Sequence, residues 1–176
     1  YPIGAGLTRP SIFLALGDAL DDFYCGRASS FVLAVPEFPW EANRIGASFA
    51  PIETQPGEWL LPYHGKQDDR VGYTQSFMLL RECSEGIPKI IARPRERLLY
   101  ATEPWELEGE FTVPCLFTCS GVRLSDGTLL MGYGAADQTI GLLSVNWNAL
   151  LTHLRQEGAP PLEQIRQITA KPAGLK

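Results

Sequence analysis

Residues 59–65 read Trp59-Leu60-Leu61-Pro62-Tyr63-His64-Gly65. This is a strand that carries apolar and aromatic side chains up to a histidine and is broken by Gly65 just beyond it. A strand end beside a turn is where a rigid scaffold presents a polar side chain to a ligand. His64 is one of only two histidines in the chain, so its position needs a reason. Taken alone, the stretch also allows a histidine that fills a rim position or caps a neighbouring backbone group.

Working outward, Asn43 to Ser48 and the segment on to Thr54 have strand character, and Gln55-Pro56-Gly57-Glu58 is a turn by composition. The two runs flanking that turn make a hairpin. After the charged loop Lys66–Arg70, residues 72–81 resume strand character with Tyr73, Phe77 and Leu79 on one face. Gly86-Ile87-Pro88 turns the chain into Lys89–Arg93, which Pro94 ends. Residues 45–93 therefore predict four strands joined by short turns, the signature of an antiparallel sheet. The pattern then starts again. Thr112–Arg123 is a long apolar run, Ser125-Asp126-Gly127 a hairpin turn, Thr128–Tyr133 a strand, Gly134–Asp137 a bend, and Gln138–Val145 a further strand. On the N-terminal side, Ser11–Leu16 and Phe31–Val35 are strand-length runs separated by a polar turn at Asp18–Asp22. An amphipathic helix is expected over Asn148–Gln156, with Leu150, Leu151 and Leu154 on one face. A weaker helix is expected over Leu162–Ile168, then a loose tail. Repeated sheets of this kind suit a β-propeller, while a β-sandwich has similar strand spacing, and the pattern leaves both open.

The chain has 176 residues and a formal net charge of −5. That balance argues against a nucleic-acid or anionic-membrane surface, either of which needs clustered Lys and Arg. No apolar run approaches a membrane span and no basic-then-apolar leader opens the chain, so a cytoplasmic protein is expected. The chain begins at Tyr1 rather than Met, which reads as a fragment or a processed form. Cysteines stand at 25, 83, 115 and 119. Their spacing is unlike a zinc knuckle, and they are expected to be buried free thiols, with a disulfide still allowed.

Four motifs occur in order: Arg44-Ile45-Gly46-Ala47, Trp59–Gly65, Lys89-Ile90-Ile91-Ala92-Arg93-Pro94 and Tyr133-Gly134-Ala135-Ala136-Asp137. With them, over roughly residues 11–150, the chain resembles the C-terminal half of the β-mannoside phosphorylases, glycoside hydrolase family 130. The resemblance implies an all-β, five-bladed β-propeller, of which this chain supplies about two to three blades. Residues 1–150 would be a partial propeller catalytic domain and residues 151–176 a C-terminal helix and tail. It implies inverting phosphorolysis of β-mannosides to α-mannose 1-phosphate, with inorganic phosphate as co-substrate and no cofactor or metal. The partners implied are a β-mannoside oligosaccharide and phosphate, with neither nucleic acid nor membrane; a homo-oligomer is compatible with all of this.

By the same resemblance, Arg44 and His64 match phosphate-binding positions, both cationic or able to become so, and Asp137 matches a residue that accepts hydrogen bonds from sugar hydroxyls. An inverting hydrolase pairs a carboxylic acid with a carboxylate that activates water. Phosphate arrives anionic and instead needs donors that hold it in line behind the sugar carbon. Without the resemblance, Arg44 reads first as an exposed charge, and Asp137 equally as a residue capping its own bend. Tyr73 and Arg93 lie in matching segments but are expected to serve packing and an ion pair between blades. Trp40, Trp59, Trp105 and Trp147 are expected in blade cores. The family's general acid is an aspartate of its N-terminal half, and none of Asp18, Asp21 or Asp22 matches it. Ser48-Phe49-Ala50 also replaces a segment richer in Gly and Pro. Two alternatives are a β-mannoside hydrolase of the same fold, with carboxylates in place of the cationic ligands, and a non-catalytic carbohydrate-binding propeller fragment.

Overall fold

A proline in a central strand removes a ladder donor, and the sheet that holds Pro62 is built around that gap. The computed structural model describes residues 7–68, 70–84, 86–109 and 113–156, together with the backbone of 166–170. Its middle sheet contains β3 (Arg44–Ala47), β4 (Ile52–Gln55), β5 (Glu58–Lys66), β6 (Tyr73–Arg81) and β7 (Lys89–Ala92). The order is β3-β5-β6-β7, with β4 also on β5. The run from Asn43 to Thr54, expected as one strand, is thus two. Its halves meet β5 at Tyr63–Lys66 and at Glu58–Leu60. The break falls beside Pro62, whose carbonyl accepts the Ser48 N–H at 3.0 Å. A strand residue's N–H and C=O point the same way, so the missing N–H of Pro62 faces the break.

A second sheet pairs β1 (Ile12–Leu16) with β2 (Ser29–Ala34). The polar turn expected at Asp18–Asp22 runs into a short helix, α1 (Leu20–Tyr24), because the Asp22 carboxylate accepts the N–H groups of Asp18 and Ala19, both at 2.9 Å. The third sheet has the order β11-β10-β9-β8, from β8 (Leu116–Arg123), β9 (Thr128–Ala135), β10 (Thr139–Asn146) and β11 (Arg166–Ala170). The helix expected over Leu162–Ile168 is corrected here. Residues 166–168 belong to β11, antiparallel to β10, where pairing with an open sheet edge wins over weak helical periodicity. Residues 162–165 of that expected helix, residues 110–112 ahead of β8 and the tail beyond residue 170 lie outside the described residues.

The middle sheet is covered on both faces. Every residue from Leu60 to Gly65 and from Thr74 to Leu80 is buried. Leu60, Phe77 and Leu79 pack with Leu129, Met131, Leu143 and Val145 of the third sheet. Leu61, Tyr63, Met78 and Leu80 pack with Ile12 and Ala34 of the first. Each such apolar side chain contributes about 1.5–3 kcal/mol when fully buried. Three sheets stacked in series are what consecutive propeller blades require, whereas a two-sheet sandwich leaves each sheet one outer face. Helix α3 (Trp147–Arg155) is started by Asn146, whose side chain accepts the Ala149 N–H, and it buries Trp147, Leu150, Leu151 and Leu154 in the same core as the third sheet. Arg155 and Arg81 both pair with buried Glu58, tying this helix to β5.

A repeat links the sheets. Pro39-Trp40-Glu41 forms a 3-10 turn and Pro104-Trp105-Glu106 opens α2 (Pro104–Leu107). Both glutamates are fully buried. Each takes two backbone N–H groups and one tyrosine hydroxyl from the central part of the sheet that follows. Glu41 holds Glu37, Phe38 and Tyr63; Glu106 holds Thr102, Glu103 and Tyr133. Arg93 meets Glu41 at 2.7 Å and donates to the Val35 carbonyl at 2.9 Å, joining the middle sheet to the first. Among the described residues no helix is long and apolar enough to cross a membrane.

Candidate functional site

The ladder between β3 and β5 pairs Arg44 with Lys66 and Gly46 with His64. On the other side of β5, β6 places Tyr73 beside Lys66 and Gln75 beside His64. Alternate residues share a face, so one face carries Arg44, Lys66 and Tyr73 in one row and Gly46, His64 and Gln75 in the next. Arg44 and His64, proposed from sequence as one site, are therefore neighbours. Arg44 is half-buried and donates from Nε to Asn43 Oδ1 at 2.8 Å; no carboxylate among the described residues pairs with it.

His64 is 7% exposed. Its ring lies 4.6 Å from Phe117 of β8 and 5.2 Å, edge-on, from Tyr73. Burial, with the charge of Arg44 adding, holds its pKa down at about 4. The ring is therefore neutral at pH 7, which changes the expectation of a cationic or readily charged partner for phosphate. A hydroxyl of Ser48, brought here by the β3–β4 break, lies 3.4 Å from Nδ1. Ser48 in turn donates to Gln75 Oε1 at 2.7 Å. Neither Ser48, Gln75 nor Phe117 was singled out from the sequence. The broken apolar run around Pro51 and Pro62 was the available signal for Ser48, and Gln75 alone interrupts the period-two face of Tyr73, Phe77 and Leu79.

Gly46 is required here. A Cβ at this position would lie 2.6 Å from His64 Nε2 and 2.8 Å from Cε1. Gly46→Ala is expected to push the imidazole out of its place against Tyr73 and Phe117, and to cost about 1–3 kcal/mol as other overpacked sites do. A lower melting temperature together with a rise in the His64 pKa toward the free value checks this. An unmoved His64 titration would refute it.

The depressed pKa also sets a pH dependence. The unfolded chain binds a proton at His64 near pH 6.5, the folded one near 4. Stability is therefore fully present above about pH 6.5 and falls as the pH drops toward 4, by a few kcal/mol in all. Glu58 follows at lower pH. Burial opposes its ionisation, but Arg81, Thr54 and Arg155 hold its carboxyl down at about 2, so its contribution is lost below the usual carboxylate range. Melting between pH 7 and 4 should show the first loss, and His64→Gln should flatten it.

Asp137 sits on the third sheet, at the end that meets this corner. The Gly72 N–H bonds the Pro114 carbonyl, and the charges of both Asp137 and Lys66 reach the thiol of Cys115. Asp137 is exposed, and its carboxylate caps nothing: the bend is closed by the Gln138 N–H on the Ala135 carbonyl. Ala136 and Asp137 both have positive φ, 49° and 56°, in a turn that ordinarily takes Asn or Gly. Such strain costs on the order of 1 kcal/mol or more per residue and gathers at functional sites. The Ala136 N–H bonds the Cys115 carbonyl, and the backbone of Gly109 lies so close that a Cβ there would meet the Ala136 oxygen at 2.6 Å. Asp137 is thus presented by a turn clamped from below.

The thiols correct one expectation. None is paired, but only Cys115 is buried, while Cys25 and Cys119 are exposed. Cys119 is at an irregularity in the β8 register, which breaks the alternation that would place it with Cys115. No group of three or more potential metal ligands occurs among the described residues. A groove of about 1250 Å³ lies elsewhere, lined by Arg93, Arg95, Arg97 and His153 among others. It includes none of Arg44, His64 or Asp137, and its inner arginine is already paired with Glu41 and Glu37. The chemistry favours the Arg44–His64 corner.

Residues 6–156 match the family model described as beta-1,4-mannooligosaccharide phosphorylase. A 1,2-beta-oligomannan phosphorylase of Thermoanaerobacter sp. (strain X514) is 35% identical over 133 residues, covering 76% of this chain and 42% of the relative. The Beta-1,4-mannooligosaccharide phosphorylase of Ruminococcus albus is 32% identical over 106 residues, 58% of this chain and 30% of the relative. The solved Beta-1,2-mannobiose phosphorylase of Listeria innocua superposes with a TM-score of 0.65 at 23% identity, covering 85% of this chain and 40% of that one, and so shares its fold. The chain spans about two fifths of the length of the first of these relatives. With the family model matched from residue 6 to residue 156, the chain belongs to glycoside hydrolase family 130, the family of the β-mannoside phosphorylases.

Proposed function

We propose that this chain carries part of the phosphate and sugar site of an inverting β-mannoside phosphorylase, within a five-bladed propeller. In this reading inorganic phosphate is the co-substrate and α-mannose 1-phosphate the product, with no cofactor. The observation that carries the reading is that Arg44 and His64 lie on one face of adjacent strands, in neighbouring rows of the ladder. A guanidinium with no carboxylate partner among the described residues can take two phosphate oxygens at once. The neutral imidazole beside it adds a directional hydrogen bond without adding charge. Inorganic phosphate needs no base to attack, so the work of this corner is placement. A hydrolase of the same fold would instead need a carboxylate here to activate water. Asp137, held out on its strained turn, is suited to accept hydrogen bonds from mannose hydroxyls. The general acid that protonates the leaving oxygen is assigned to the family's N-terminal half.

The test is titration of the chain with phosphate, followed by calorimetry and by the NMR signals of His64. Saturable binding that shifts His64 and is weakened in Arg44→Ala is the expected result. Binding that leaves His64 unmoved, or no binding at all, would refute the assignment.

A further inference from the structure

We infer that His64 meets its ligand as a hydrogen-bond acceptor, so that this corner selects an oxyanion carrying a proton, hydrogen phosphate rather than sulfate. The inference rests on the phosphate-site reading and adds which way the proton lies. It follows from counting hydrogens along a buried chain of side chains. The Leu116 carbonyl can only accept, so the group 3.0 Å from it is the Gln75 amide nitrogen, which fixes the amide's orientation. Gln75 Oε1 is then an acceptor, and it receives the hydroxyls of Thr118 and Ser48, both at 2.7 Å. Ser48 has one hydroxyl hydrogen, and that hydrogen is committed to Gln75. Only lone pairs remain on the Ser48 oxygen to face His64 Nδ1 at 3.4 Å. Nδ1 must therefore bring the proton.

The buried ring is neutral and has a single N–H, so with Nδ1 protonated, Nε2 holds a lone pair. The Nε2 end of the ring packs directly against the Gly46 backbone, which leaves no room for a side chain there, two residues along β3 from Arg44. A bound anion can set its charged oxygens on the guanidinium and its P–OH on Nε2. Sulfate at neutral pH has no hydrogen to offer, and its oxygen would meet a lone pair. A site built around one hydrogen bond discriminates against a ligand that cannot make it. Ser48 and Gln75 touch no ligand in this scheme. They are positioning residues, acting through the tautomer of His64.

The experiment has two readouts on the chain at pH 7. Nitrogen-15 NMR of the ligand-free chain gives the His64 tautomer directly, and calorimetry gives the dissociation constants of phosphate and sulfate. The expected results are an Nδ1–H tautomer and phosphate bound about ten-fold or more tighter than sulfate. Ser48→Ala should relax the tautomer and bring the two anions toward parity, while Ser48→Thr, which keeps the hydroxyl, should retain the preference. A merely structural Ser48 would lower stability without changing the ratio of the two constants. An Nε2–H tautomer, or sulfate bound as tightly as phosphate, overturns the inference. If neither anion binds while the tautomer is Nδ1–H, the phosphate-site reading itself fails, and the selectivity falls with it.

Discussion

Arg44→Ala is expected to weaken phosphate binding about a hundred-fold while leaving the fold intact. The guanidinium is half-buried at the edge of the middle sheet, and its one side-chain partner among the described residues is the adjacent Asn43. Its removal orphans little inside the protein. What it removes is the charge and the two-pronged contact available to the anion. Hydrogen bonds to charged groups contribute about 1.5–3 kcal/mol each, and the upper value corresponds to roughly a hundred-fold. His64→Ala should act in the same direction with a smaller effect, because a neutral imidazole supplies one contact and no charge. It should also lower the melting temperature, since the ring fills space between Tyr73 and Phe117. Calorimetric titration of both variants with phosphate, beside their thermal melts, checks the pair. An unchanged dissociation constant in Arg44→Ala would remove the phosphate site from this corner.

Glu41→Ala should be the most damaging single truncation for stability, by about 3–5 kcal/mol. Glu41 is wholly buried, and its carboxylate receives the N–H groups of Glu37 and Phe38, the hydroxyl of Tyr63 at 2.9 Å and the guanidinium of Arg93. The Arg93 side chain is only 9% exposed, so the truncation leaves a buried cation with one exposed carboxylate, a carbonyl and the Tyr63 hydroxyl for company. It also takes away the acceptor of the buried Tyr63 hydroxyl. For a chain of this size the loss corresponds to a fall in melting temperature of roughly 10 °C or more. Glu41→Gln keeps the volume and an acceptor oxygen and should fall between the two. A Glu41→Ala variant that melted within a degree or two of the parent would show that the network contributes little. Glu106→Ala should also destabilise, because it removes the buried carboxylate that accepts the Thr102 and Glu103 N–H groups and the Tyr133 hydroxyl.

Much of the strand pattern was legible because it is local. Turn residues at Gln55–Glu58 and Ser125–Gly127 and alternation in β9 place those hairpins without knowledge of the rest. Two further signals were present and unread. Trp59–Tyr63 and Phe77–Leu80 are unbroken apolar runs in antiparallel strands, which means burial on both faces and hence sheets on either side. Pro-Trp-Glu occurs twice, ahead of each of two successive sheets, and marks the repeat. The irregularity that exposes Cys119 and the pairing that makes Arg166–Ala170 a strand were not legible, because both depend on a neighbouring strand's hydrogen bonds rather than on local residue preference.

The candidate site divides in the same way. Residue type and motif order were enough to select Arg44, His64 and Asp137, because guanidinium, imidazole and carboxylate have fixed chemistries wherever they lie. Sequence by itself determined this much: a chain of repeated antiparallel strands, with those side chains at strand ends and a family resemblance to give them a task. The tertiary structure alone decided what state they are in. His64 is neutral because Phe117, from a strand more than fifty residues away, and Tyr73 close over it. Its proton is directed by Ser48, Gln75 and the Leu116 carbonyl, which three different segments bring together. Desolvation and hydrogen-bond direction are properties of what surrounds a group, and those surroundings exist only once the sheets have stacked.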